Sequence, residues 1–180
     1  QELYERTATF KTTRLYDRNG MLLYEIIDPL GGRRVVVPYK EFPADLVNAA
    51  VATEDKTFFS NPGVNPVSIV KALVQNLREG EIVRGASTIT QQVVKKVFLS
   101  PEQTYSRKIK EAILATELTR RYTKEEILQV YLNESYLGNL SYGVGAASET
   151  YFGKPVSQLA LPESALLVGL LQAPSLYDPY

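Results

Sequence analysis

Arg84-Gly85-Ala86-Ser87-Thr88-Ile89-Thr90-Gln91-Gln92-Val93-Val94-Lys95-Lys96 opens with small residues and passes into a helical pattern. Ser87 or Thr88 can cap that helix, its hydroxyl accepting from the first free backbone amides. Thr88, Gln91, Gln92 and Lys95 recur at i, i+3, i+4 and i+7, which places them on one face. That face is polar and ends in an ammonium, whereas Ile89, Val93 and Val97 line another that can be buried. Two readings fit. One is a capped amphipathic surface helix, the simpler on spacing alone. The other is an anion cradle made of a glycine turn, helix-start amides and a lysine further along.

The rest of the chain bounds the chemistry. Its 180 residues fit one domain with a real core. An apolar fraction of 44% with 22% charged residues is ordinary for a globular protein. Lys plus Arg equals Asp plus Glu, so the global field points to no nucleic acid partner. The distribution is uneven, however. Between 71 and 110 stand Lys71, Arg78, Arg84, Lys95, Lys96, Arg107, Lys108 and Lys110 against only Glu79, Glu81 and Glu102, a surplus that suits a phosphate-bearing ligand. Cysteine and histidine are both absent, which excludes disulfides, thiolate chemistry, imidazole bases and His-ligated metals. Catalysis must then rest on carboxylates, and any metal must be a hard ion held by oxygens. No segment is long enough to span a bilayer.

Residues 8 to 39 read as β structure. Arg14-Leu15-Tyr16 and Met21-Leu22-Leu23-Tyr24 flank Asp17-Arg18-Asn19-Gly20, a hairpin signal. Asp28 to Gly32 is a turn, and Arg34 to Val37 a further strand. After Pro43 the pattern becomes helical, with Val47, Ala50, Val51 and Glu54 on one stripe. A glutamate at a core-facing position is partly desolvated and suited to proton transfer. Alternatively the helix ends at Glu54 and the side chain turns to water. Asn65-Pro66 opens a helix apolar around most of its circumference, a core element or a membrane-surface one.

Ser100-Pro101 begins the next helix. There Glu111 lies in line with Arg107, Leu114 and Leu118, which predicts an ordinary Arg107–Glu111 ion pair. If Glu54 and Glu111 face one cleft, two carboxylates are the usual equipment for glycosyl chemistry. Thr123 to Glu126 is a capping box opening a helix through Tyr131 and Leu132, with Asn133 near its middle or end. Ser141 to Phe152 reads as helix stopped by Gly153, and Pro162 starts a last apolar helix closed by Ala173-Pro174. The body is mainly α.

Five blocks, in order, resemble the peptidoglycan glycosyltransferases, the polymerase domains of class A penicillin-binding proteins and of monofunctional cell-wall glycosyltransferases. They are Glu54-Asp55-x-x-Phe58 to Gly63; Gly85 to Gln92 with Lys95; Arg107-Lys108-x-x-Glu111; Ile127-Leu128-x-x-Tyr131-Leu132-Asn133; and Glu163 to Pro174. The resemblance spans roughly residues 14 to 180. It implies a lysozyme-like glycosyltransferase fold, mainly α, with a β-rich extension over 1–42 and the transferase body over 43–180. Within that body, about 64–83 would form a membrane-facing jaw.

The activity implied is polymerisation of lipid II into β-1,4 glycan strands, with inversion and release of undecaprenyl pyrophosphate. By the same resemblance Glu54 is the general base and Glu111 the second essential carboxylate. Asp55, Lys71, Gly85, Ser87, Thr88, Gln91, Gln92, Lys95, Arg107, Lys108, Tyr131 and Asn133 fall at substrate-binding positions. Mg²⁺ or Mn²⁺ is implied at the pyrophosphate. The resemblance further implies lipid II and the growing strand as partners, moenomycin-type inhibitors, and a covalent transpeptidase domain. The site of action would be the extracytoplasmic face of the bacterial cytoplasmic membrane, with an N-terminal transmembrane anchor absent from this chain.

Two positions depart from the family pattern. Asn61 stands where histidine is usual, and Gln103 where a basic residue often holds phosphate; Lys96, in place of a frequent asparagine, adds a charge. Two other functions share part of this equipment. A lysozyme-like hydrolase or lytic transglycosylase would use a lone glutamate but has no need of a cationic clamp. A catalytically silent lipid II-binding module would have no need of both glutamates.

Overall fold

The computed structural model describes Leu3, Thr7 and residues 12–27, 31–66, 87–100 and 104–179. Strands β1 (Thr13–Tyr16) and β2 (Leu22–Ile26) form an antiparallel hairpin. Its turn differs from the tight Asn-Gly type, which requires positive φ at both central residues. Only Gly20 takes positive φ, and the Asp17 carboxylate accepts from the Asn19 and Met21 amides, both at 2.8 Å. The Asp17 side chain thus replaces a second left-handed residue as the organiser of the turn.

The strand expected over 34–37 is shorter. β3 (Arg33–Arg34) pairs in parallel with β4 (Ser141–Tyr142), and Val35 to Val37 leave the sheet. The reason lies at Val37, whose N–H and C=O are both taken by the Asn133 carboxamide, at 2.9 and 2.8 Å. One amide side chain does there what a neighbouring strand would do.

The chain divides into two compact units, residues 1–49 with 132–180, and 50–131. The division falls within helices α1 (Ala44–Glu54) and α4 (Lys124–Glu134). In the first unit the strands are tied to α5 (Gly143–Phe152) by charge: Glu149 and Glu25 both bind Arg14, and Glu25 also binds Arg33. Small residues let the α5 backbone come close. A Cβ on Gly145 would stand 2.4 Å from the Val35 carbonyl oxygen. The helix begins at Gly143 rather than Ser141, and Gly153 stops it in the left-handed conformation. α6 (Leu161–Gln172) follows, then a four-residue helix α7 (Pro174–Tyr177) that the Ala173-Pro174 stop signal did not predict.

The second unit holds the end of α1, a turn through residue 66, α2 (Ile89–Val97), α3 (Tyr105–Arg121) and most of α4. α3 starts later than Ser100-Pro101 suggests. Thr104 is its cap, accepting from the Arg107 amide at 3.2 Å. α4 opens with the expected box, the Thr123 amide donating to Glu126 and the Glu126 amide to Thr123. The apolar segment after Pro66, with the remainder of the jaw, and Lys71, Gly85 and Gln103 lie outside the described residues. Among the described residues no helix is long and apolar enough to cross a membrane.

Candidate active site

α2 is not a surface helix. Thr88 caps it, the Gln91 amide donating to the Thr88 hydroxyl at 3.1 Å while the Thr88 amide donates to Gln91 Oε1. Thr88 and Gln91, expected on an open polar face, are as buried as Ile89, Val93 and Val94. The Thr88 hydroxyl donates onward to the Gly63 carbonyl at 2.6 Å. Lys95, two turns along, is exposed.

The anion at this helix start belongs to the protein. Asp55, buried just past the end of α1, accepts from the Ile89 amide at 3.3 Å. It also accepts from the Thr57 amide and hydroxyl and from Asn61 Nδ2. A carboxylate against the first amides of a helix is stabilised by them and by the helix dipole. Asp55 therefore takes the Ile89 amide, one of the helix-start donors, and joins the first block to the second.

The helix bearing Glu54 ends at that residue, yet the carboxylate does not turn to water. Gln92 Nε2 donates to Glu54 Oε2 at 2.8 Å. Glu54 Oε1 is buried and accepts from no group among the described residues. Glu111 is more enclosed, at 1% exposure, and its Oε1 accepts from Gln91 Nε2 at 3.2 Å and from Lys108 Nζ. Lys108 Nζ donates as well to the Ser87 hydroxyl at 2.8 Å. The ion pair expected between Arg107 and Glu111 is thus made by Lys108, one residue nearer. Arg107 is left with Nε and Nη1 buried and, among the described residues, unpartnered. Buried donors of a half-buried guanidinium that meet no acceptor are a cost that an anion would relieve.

Two expected substrate positions carry other contacts. Lys96 Nζ sits 4.8 Å from the centre of the buried Tyr131 ring. Asn133, in the other unit, binds Val37 as described above. Sequence reasoning passed over Lys124, which donates to the Asn61 carbonyl at 2.7 Å and lies over the Phe58 ring. Burial pushes its ammonium below the ordinary lysine value, with the Asp55 charge opposing. Its signal was available: a lysine at the first position of a helix, against the dipole, needs a specific partner.

The sequence model of the family described as Transglycosylase matches residues 19–180. This chain belongs to the transglycosylase family. It is a peptidoglycan glycosyltransferase domain. It is 45% identical over 179 residues to penicillin-binding protein 1A of Aquifex aeolicus, covering 99% of this chain and 24% of that protein. To penicillin-binding protein 1A of Escherichia coli it is 46% identical over 178 residues, covering 96% of this chain and 21% of that protein. A crystal structure of penicillin-binding protein 1A from Haemophilus influenzae aligns with 94% of this chain and 15% of its own, at 26% identity and a TM-score of 0.45. The chain therefore spans about a quarter or less of the length of these relatives.

Proposed function

We propose that this transglycosylase domain polymerises lipid II, with Glu54 as the base that activates the acceptor. The observation that carries the reading is the division of labour within one carboxylate. Oε2 is held by Gln92, while Oε1 is shielded from water and accepts from none of the described residues. Such an oxygen is ready for a hydroxyl proton. Glu54 takes the proton of the acceptor 4-hydroxyl as O4 bonds to the donor's anomeric carbon from the face opposite the leaving group. The bond from that carbon to the pyrophosphate breaks, and undecaprenyl pyrophosphate departs with the electron pair.

The unpartnered donors of Arg107 suit the charge that develops on the leaving group, with Lys95 and Lys108 adding to the field. Glu111, fixed by Gln91 and Lys108, assists on the donor side. No three acidic side chains among the described residues converge on a metal-sized site. A Mg²⁺ or Mn²⁺ would fit here as an ion held mostly by pyrophosphate oxygens and water, supplying charge neutralisation. On this reading the domain works at the extracytoplasmic membrane face, within a longer anchored protein that includes a transpeptidase domain, and moenomycin-type inhibitors occupy the same site.

The experiment is incubation of the purified domain with labelled lipid II and Mg²⁺, beside Glu54→Gln, with products sized on a gel. Lysozyme-sensitive polymer from the native chain alone is expected, because the variant keeps shape and loses the base. Comparable polymer from Glu54→Gln refutes the base assignment. Sugars released from preformed glycan without lipid II would establish the hydrolase instead, and tight lipid II binding without turnover the silent module.

A further inference from the structure

The two glutamines in the first turn of α2 do not present their amides alike to an open face. Gln91 Nε2 donates to Glu111 and Gln92 Nε2 to Glu54. Adjacent residues of a helix point about 100° apart, so one rigid turn of α2 holds two carboxylates that come from different helices. That turn is anchored independently of both, through the Thr88–Gln91 box, the Thr88–Gly63 bond and the Asp55–Ile89 bond.

We infer that Gln92 is a positioning residue for the base rather than a substrate ligand, and that Gln91 does the same for Glu111. A primary amide is suited to this duty. It donates to a carboxylate without adding a charge, so it fixes the oxygen it touches and leaves the other free. Glu54 has this arrangement, with one oxygen bound and the other unpartnered. Among the described residues Gln92 makes the one hydrogen bond that holds the Glu54 carboxylate, so without it that group can rotate. Rotation would leave the acceptor bound and the base misdirected, and geometric errors of this kind are costly in rate.

The inference rests on Glu54 being the base, and the test separates the two. Gln92→Met keeps length and removes the donor; it is measured beside Glu54→Gln and the native domain, by initial rates of polymerisation over a range of lipid II concentrations. Gln92 is half-buried, and rates are taken below each protein's melting transition. A ten- to hundredfold fall in kcat with KM within twofold of native is expected for Gln92→Met. A raised KM with native kcat would make Gln92 a substrate ligand and overturn the inference, as would native values of both. If Glu54→Gln polymerises normally, the base assignment itself fails. If Glu54→Gln is dead while Gln92→Met is native, only the positioning role falls. Gln91→Met is the second arm, and a KM effect without a kcat effect there would refute the parallel claim for Glu111.

Discussion

Asn61 shows what a single carboxamide can join. Its Nδ2 donates to both oxygens of Asp55, and its Oδ1 accepts from the Gly63 amide at 2.9 Å and from Lys124 Nζ. The site asks for a donor toward a carboxylate and an acceptor toward an amide and an ammonium. Neutral histidine also offers one of each, but protonated histidine offers only donors. Asparagine meets both demands at every pH. The departure from the family pattern at this position is therefore structurally coherent. Asn61→Ala is expected to destabilise the domain by about 2 kcal/mol, since it takes one donor group from a buried carboxylate that keeps others and strands the buried Gly63 amide. Urea unfolding checks this, and a loss below about 0.5 kcal/mol would mean that water replaces these bonds.

The β1–β2 hairpin depends on one carboxylate in the same way, this time at the surface. Asp17 is held below the ordinary carboxylate value chiefly by the Met21 backbone amide, with the Asn19 amide adding to it. Its folded-state pKa is lowered, so its contribution is full above the ordinary 3.8 and is lost as pH falls below it. Exchange of the Asn19 and Met21 amide protons, corrected for intrinsic rates, should accelerate relative to β2 as the pH is lowered through that range. Asp17→Asn, which keeps an acceptor without the charge, should remove the pH dependence, and a native-like response in that variant would place its origin elsewhere. This hairpin was legible in the sequence, because its partners are neighbours. The helices were legible for the same reason: the box at Thr123, and the cap that fell to Thr88 of the two residues offered, act over three residues. Legibility failed where spacing alone had to choose a partner. Residues three and four apart both reach across a helix turn, so Arg107–Glu111 and Lys108–Glu111 were equal on paper, and the structure selects Lys108.

At the scale of the whole chain the unreadable part is the long-range part. Asp55 reaches the start of α2 across 34 residues of sequence, and Asn133 reaches Val37 across 96. Nothing in local periodicity shows that a candidate ligand side chain has already been spent on the protein's own backbone. Charge distribution, in contrast, needs no partner to be read. A chain of zero net charge carries its cationic surplus between 71 and 110. That surplus includes Lys95, exposed on α2, and Arg107, two of whose donors are buried and unpartnered among the described residues. If this asymmetry serves a pyrophosphate-bearing substrate, capture must weaken with salt. Raising ionic strength from about 0.1 M to about 0.5 M shortens the screening length from about 10 Å to about 4 Å. Over that range KM for lipid II in neutral detergent should rise several-fold, because the long-range attraction is screened before the substrate arrives. The kcat should stay within about twofold, since contacts inside a closed site are screened little. The melting temperature, followed in parallel, separates this from unfolding. A flat KM would mean that the basic residues act only on contact, and a fall in kcat alone would move their role from capture to the chemical step.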